Sequence, residues 1–269
     1  MSGIPESILA CVDAEIDSAL FSNNPQYKGY RYEHKRSCIA LGREPPNPFD
    51  GYGLVAAIYN RIERNLMCRP DRKPSLENWN LCSDNRLNPK SDNIKKNKNK
   101  SNEVTLERAI VEKWPTKWTY QMPVASGLFS SSSDKRRAID LVHSKNNGQF
   151  DFVELKIQSD TPLYAAMEIV GYGLIYLASR LDMAKNLGYV SEALPVLKAS
   201  GITLCVLAPK DYYEDYSLKW LQTAINDGLR KLDKGNLQMD FRFEKFLFPW
   251  NHDMSASNLS ERLVREPVY

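Results

Sequence analysis

Asp140, Glu154 and Lys156 are the residues whose types and spacing could do chemistry together. They lie in RRAIDLVHSKNNGQFDFVELKI (136–157), where two short strand-like runs carry an acid, then an acid and a base, into apolar surroundings. In the second run Phe150, Phe152, Glu154 and Lys156 share one face by period-two alternation, and Val153, Leu155 and Ile157 share the other. In the first run Ala138, Asp140 and Val142 share a face, and the intervening SKNNG, with its Asn-Gly, predicts an antiparallel return. Two such strands would set Asp140 beside Glu154. Paired carboxylates suit a hard divalent cation such as Mg²⁺, with Mn²⁺ as its substitute, and a nearby ammonium can orient or activate metal-bound water. The plainer alternative is a charged pair on the solvated face of a strand, so the surrounding elements must decide.

The upstream segment EVTLERAIVEKWP predicts a helix that begins after Ser101 and Asn102, either of them a cap, and stops at Pro115. Val104, Leu106, Ile110, Val111 and Trp114 form its apolar arc, and Glu107 falls in the middle of it. A carboxylate on a core-facing stripe needs a partner, because burying it alone costs several kcal/mol. Glu103 also lies in the arc, but an acid in a first helical turn is accounted for by the helix dipole. Downstream, TPLYAAMEIVGYGLIYLASR reads as a largely buried helix whose one charge before Arg180 is Glu168, with Tyr164 and Tyr172 at helical spacing around it. Glu168 could bond a tyrosine, pair with Lys156, or join the acidic site.

The D…E-x-K spacing resembles the signature of the PD-(D/E)xK nuclease superfamily, with Ile139 in the place of the Pro. The resemblance spans about residues 103–210 and implies a restriction-endonuclease-like αβββαβ core: an α/β fold with a mixed central sheet flanked by helices, and here an added N-terminal helical region. It further implies that Asp140 and Glu154 hold Mg²⁺ with the Leu155 carbonyl, that Lys156 orients the attacking water, and that Glu107 joins the metal site from the preceding helix. Glu168 and Tyr172 look similar to the Q-x-x-x-Y of one branch, with Glu replacing Gln. These two and Glu103 are accessory candidates.

The chain divides into an N-terminal helical region (1–85), a Lys/Asn-rich linker or loop (86–102), the nuclease-like domain (103–250) and a tail (251–269). With 269 residues, 42% of them hydrophobic, it can bury a substantial core. Residues 1–102 hold 16 Lys and Arg against 12 Asp and Glu, while residues 103–269 hold 20 against 21, so any phosphate-binding excess is weighted to the first part. YKGYRYEHKR interleaves tyrosines with cations, which suits base stacking but equally a loop folding its tyrosines onto the core. Lys135, Arg136 and Arg137, just before Asp140, are the local candidates for holding a nucleic-acid phosphate. Five scattered cysteines without a CxxC pair read as reduced thiols, and three dispersed histidines give no zinc pattern; His143 reads as a turn residue. No apolar run reaches membrane-span length and the acidic N-terminus lacks a signal peptide's form, so a cytoplasmic location without a membrane partner is expected. Together these features predict a Mg²⁺-dependent endonuclease acting on DNA. RNA cleavage and a noncatalytic binding or assembly module on the same fold stay open, as does the choice between monomer and homodimer.

Overall fold

The computed structural model describes residues 4–22, 25–69, 73–81, 101–181, 187–189, 194–232, 237–247, 259 and 264–269. Helices α1 (Val12–Phe21), α2 (Lys35–Arg43) and α3 (Gly51–Met67) open the chain. Then come α4 (Asn102–Lys113), β1 (Trp118–Pro123), β2 (Ala138–Ser144), β3 (Gln149–Leu155), α5 (Pro162–Leu181), β4 (Gly201–Pro209), α6 (Lys219–Leu232), β5 (Gln238–Phe246) and β6 (Arg265–Pro267). The six strands form one mixed sheet in chain order. β1, β2 and β3 run antiparallel, β3, β4 and β5 run parallel, and β6 returns antiparallel on β5. Parallel neighbours need a crossover, and α5 and α6 supply the two.

Strand alternation divides the core in two. Phe150, Phe152, Ile202, Leu204, Val206, Phe241 and Phe243 face a core shared with α1, α3, α5 and α6, while Leu141, Val153, Leu155, Cys205 and Leu207 face Leu106 and Ile110 of α4. The central strand β4 is buried on both faces over Gly201–Ala208, which is why ITLCVLA is an unbroken apolar run and not an alternating one. α5 is apolar nearly all round for the same reason, with 16 of its 20 residues buried.

The N-terminal helices are not a separate body: Val12, Ile16, Leu20, Leu54, Ile58 and Ile62 enter the same core as the sheet. α3 crosses α6 at backbone contact, where a Cβ on Gly228 would stand 2.4 Å from the Gly51 carbonyl oxygen. Trp220 donates its indole N–H to the Leu41 carbonyl at 3.1 Å. The Lys/Asn-rich segment falls, but for its last two residues, outside the described residues, and Asn102 opens α4 with Ser101 at the N-cap. The expected C-terminal tail contributes β6, a strand too short and too proline-marked to be read from pattern.

Alternation fails at one place. Trp118 and Tyr120 pack on the α4 side, yet Met122 packs on the opposite face, as does its β2 partner Ile139. The switch falls at Gln121, whose φ is 52°, and the β1–β2 pairing skips from Tyr120↔Leu141 to Met122↔Ile139. The skipped residue on β2 is Asp140. A left-handed, non-glycine residue inside a strand costs on the order of 1 kcal/mol and persists only where its surroundings hold it.

Candidate active site at the carboxyl end of the central strands

Continued one residue past Leu141↔Val153, the β2–β3 register sets Asp140 opposite Glu154. The turn between these strands contains Asn147 at φ 62° and Gly148 at φ 71°, the left-handed pair that an Asn-Gly hairpin connection requires. Asp140 Oδ2 accepts the Leu155 backbone N–H at 2.9 Å, so the acid also terminates the β2–β3 ladder. Lys156 follows β3 directly, anchored by its own N–H to the Leu207 carbonyl at 3.0 Å. Its Nζ lies 2.9 Å from Glu154 Oε1, and 3.5 Å from both Asp160 and Glu168. The three signature side chains therefore share one cluster.

Glu107 reaches it through an unforeseen intermediary. The carboxylate is buried, 2% exposed, and its Oε2 accepts from Gln121 Nε2 at 2.8 Å. The same Nε2 approaches Asp140 Oδ1 at 3.3 Å. Glu168 meets two of its three expectations at once: it pairs with Lys156 and accepts the Tyr172 hydroxyl at 3.1 Å. Tyr164, from the same helix, stacks on Tyr32 of the N-terminal region with ring centroids 5.8 Å apart. Glu103 does other work, since its Oε1 takes the Ile157 N–H at 3.1 Å and the Ser159 hydroxyl at 2.5 Å, fixing the loop after β3.

Electrostatics at the cluster are unbalanced. Burial, then Glu168, pushes the Asp140 carboxyl up to about 6 against the opposing Leu155 hydrogen bond and Lys156 charge. Glu107 is raised well above the ordinary carboxylate range by burial and by Asp140, and Glu154 by burial, Asp140 and Glu168. Burial pulls Lys156 down, but Glu154, Glu168 and Asp140 outweigh it and hold the ammonium firmly charged. One ammonium thus serves several carboxylates, and Glu154 Oε2 is buried with no hydrogen-bond partner. Such an oxygen costs free energy unless something positive or protic meets it.

Among the described residues no three His, Cys, Asp or Glu side chains converge into a ready-made metal cage. Mg²⁺ does not demand one, because it keeps several waters and is commonly held by one or two carboxylates. The donors present fit that requirement: Asp140, the orphaned Glu154 oxygen, and the carbonyl of Leu155, the residue whose N–H Asp140 accepts.

The three candidate phosphate ligands separate. Arg137 is paired at 2.9 Å with Asp134, which is fully buried and also accepts the Ile8 N–H, so this arginine ties the N-terminal segment to the sheet. Lys135 and Arg136 are exposed on the turn before β2. Tyr27 and Tyr32 are buried and Tyr30 is partly so, which settles the interleaved tyrosines as core contacts; beside them Tyr27, Tyr30 and Arg31 border a cavity of about 580 Å³. His143 is no free turn residue: it sits on β2, stacked on Trp118 at 4.4 Å, with Nδ1 3.2 Å from Asp151. Asp151 is a second buried acid, held by His143, Lys145 and Arg265. Arg265 spans the α4 face of the sheet, reaching Asp151 of β3 at 2.7 Å and Glu244 of β5 at 3.4 Å and lying over the Trp118 ring of β1. Cys11, Cys38, Cys68 and Cys205 are free thiols, and Cys82 lies outside the described residues. No helix among the described residues is long and apolar enough to cross a membrane.

Gln121 and Asp160 were missed by sequence reasoning. Asp160 stands in the polar QSD turn and carried no periodicity. Gln121 was visible only as a polar interruption of WTYQMP, and no pattern announces a left-handed backbone. The architecture is α/β, a six-stranded mixed sheet flanked by helices, with an acid-rich cluster at the ends of its central strands. Comparison with protein-family models, with curated proteins and with solved structures gives no match.

Proposed function

We propose that the protein is a metal-dependent phosphodiester hydrolase, a nuclease acting on DNA, built on a restriction-endonuclease-like core. The observation that carries this reading is the buried, partnerless Glu154 oxygen beside Asp140, with the Lys156 ammonium on the same carboxylate. The αβββαβ order of residues 102–209 supports it, with the two acids on the second and third strands and the lysine just beyond.

Asp140, Glu154 and the Leu155 carbonyl would hold Mg²⁺, which when bound polarises the scissile phosphate and lowers the pKa of its water. Lys156, paired with Glu154 at 2.9 Å, would present an N–H to the attacking water and to charge gathering on the phosphate. Glu168, and more weakly the half-exposed Asp160, also pair with the ammonium, each at 3.5 Å. Tyr172 keeps Glu168 oriented. Water would add to phosphorus and release one proton to solvent, the bond from phosphorus to the leaving oxygen would break, and the departing oxygen would take a proton from solvent. Exposed Lys135 and Arg136 stand before β2, where a nucleic-acid backbone could be neutralised.

The test incubates the full chain with supercoiled, linear, branched and single-stranded DNA and with RNA, under Mg²⁺, Mn²⁺ or EDTA. Cleavage that needs the metal and disappears in Asp140→Asn supports the reading. Metal-independent binding without any cleavage overturns it in favour of a noncatalytic module, and cleavage of RNA alone corrects the substrate.

A further inference from the structure

We infer that Gln121 is the positioning residue of this site: its side-chain amide holds the Glu107 and Asp140 carboxylates together as a neutral stand-in for a divalent cation, and yields them when a cation arrives. This rests on the metal-dependent reading above and deepens it.

Three observations lead there. The Gln121 side-chain nitrogen lies 2.8 Å from Glu107 Oε2 and 3.3 Å from Asp140 Oδ1, so one NH₂ group addresses two acids on different elements. Both partners are acceptors, which leaves the NH₂ end of the amide as the end that can face them. The backbone of Gln121 is left-handed at φ 52°, and at this residue β1 changes the face to which its side chains point. Because the ladder skips the Gln121–Asp140 pair, the two residues meet through side chains and not through backbone hydrogen bonds. A left-handed backbone persists only where its surroundings hold it, and here it belongs to the residue whose amide meets both acids.

The choice of residue type follows from charge. A lysine in this place would neutralise the acids permanently and compete with a metal. An apolar residue would leave the buried Glu107 carboxylate and the partly buried Asp140 carboxylate facing each other. Glutamine satisfies their hydrogen bonds while leaving the negative charge uncompensated, so a dication can still displace it at the cost of one neutral hydrogen bond. It thereby keeps Glu107, which comes from α4 on the far side of the sheet, within reach of Asp140. Outer partners of this kind typically change metal affinity 10–100-fold when removed.

Mn²⁺ binding is measured by calorimetry on the full chain, with thermal unfolding of the metal-free protein in parallel. Gln121→Met, close in volume but without donors, is expected to weaken Mn²⁺ binding at least tenfold. It should raise the metal concentration needed for half-maximal cleavage, with kcat at saturating Mn²⁺ staying within about threefold. Gln121→Lys is expected to raise the melting temperature of the metal-free protein while weakening Mn²⁺ binding more than Gln121→Met does. A residue with only a packing role would not produce that opposition. Wild-type affinity in both variants, alongside a wild type that binds Mn²⁺ and cleaves, overturns this inference alone. A wild type that neither binds Mn²⁺ nor cleaves any substrate removes the metal-dependent reading, and this one with it.

Discussion

Lys156 has carboxylates of Glu154, Asp160 and Glu168 within 3.5 Å, and each partner is worth something different. Asp160 is about half exposed and contributes little, as surface pairs do, whereas Glu154 is 4% exposed and would be left as a buried acid with no partner. Lys156→Ala is therefore expected to abolish cleavage, to leave nucleic-acid binding within a few fold, and to destabilise the metal-free protein by about 2–4 kcal/mol in denaturant unfolding. Retained cleavage would place the chemistry elsewhere. Asp140 gives the opposite stability sign. Its carboxyl titrates near 6 in the folded chain against an ordinary 3.8, so between those values the folded state binds the extra proton and stability falls as pH rises. Above pH 6 the full penalty is present, and Asp140→Asn, which keeps an oxygen for the Leu155 N–H, removes it. Thermal unfolding of the metal-free variant at pH 7.5 should show a gain of about 1–3 kcal/mol that vanishes below pH 4, together with loss of cleavage. A variant that is less stable at pH 7.5 would refute this account of the acid's environment.

At the scale of elements the sheet carries two buried charge clusters, and they respond to acid in opposite directions. Asp151 is held well below its usual range: burial alone would raise it, but His143, Arg265 and Lys145 overcome that. Its contribution is present above the unfolded value near 3.8 and is lost as pH falls further. Arg265→Met should leave Asp151 and Glu244 short of a partner and cost about 3–5 kcal/mol at pH 7, read as a lower urea midpoint. The cost should shrink on acidification; a cost independent of pH would mean that Arg265 acts through packing on Trp118. The contrast between the clusters also explains what the sequence could show. Asp140, Glu154 and Glu107 stood out because each interrupts a regular apolar period, of two in a strand or near 3.6 in a helix. Asp151 occupies a strand position that alternation assigns to the α4 face, and only its distant partners on β6 and β2 explain its burial.

For the whole molecule, what was legible is what is local. The strands of residues 138–155 declared themselves by alternation, and the crossover helix of 162–181 and the doubly buried strand of 201–209 by apolar runs of distinct length. The union of the N-terminal helices with the sheet did not, because it depends on contacts such as Gly51 with Gly228, which no window along the chain brings together. Metal should report on the whole fold as well. If the site binds as proposed, Mn²⁺ at about 100 times its dissociation constant adds roughly 2.7 kcal/mol to stability, and EDTA restores the original melting temperature. A melting temperature indifferent to Mn²⁺ would count against binding to the folded state.

The crossing of α3 over α6 has a practical consequence. An alanine methyl at position 228 would stand 2.4 Å from the Gly51 carbonyl oxygen and 2.6 Å from Val55 Cγ2, and one at position 51 would stand 2.0 Å from the Ala224 carbonyl oxygen. Alanine gains up to about 1 kcal/mol of helix propensity over glycine, but overpacking commonly costs 1–3 kcal/mol and backbone contact leaves little room to yield. None of the atoms that either methyl would meet belongs to the acid cluster. Gly228→Ala is thus a candidate conditional allele: protein made in the cold should keep the acid cluster intact, then lose it on modest warming as α3 and α6 part, read as a lowered melting temperature. If the acid cluster acts as proposed, temperature would then withdraw its activity at a chosen moment, which replacing the acids themselves cannot do.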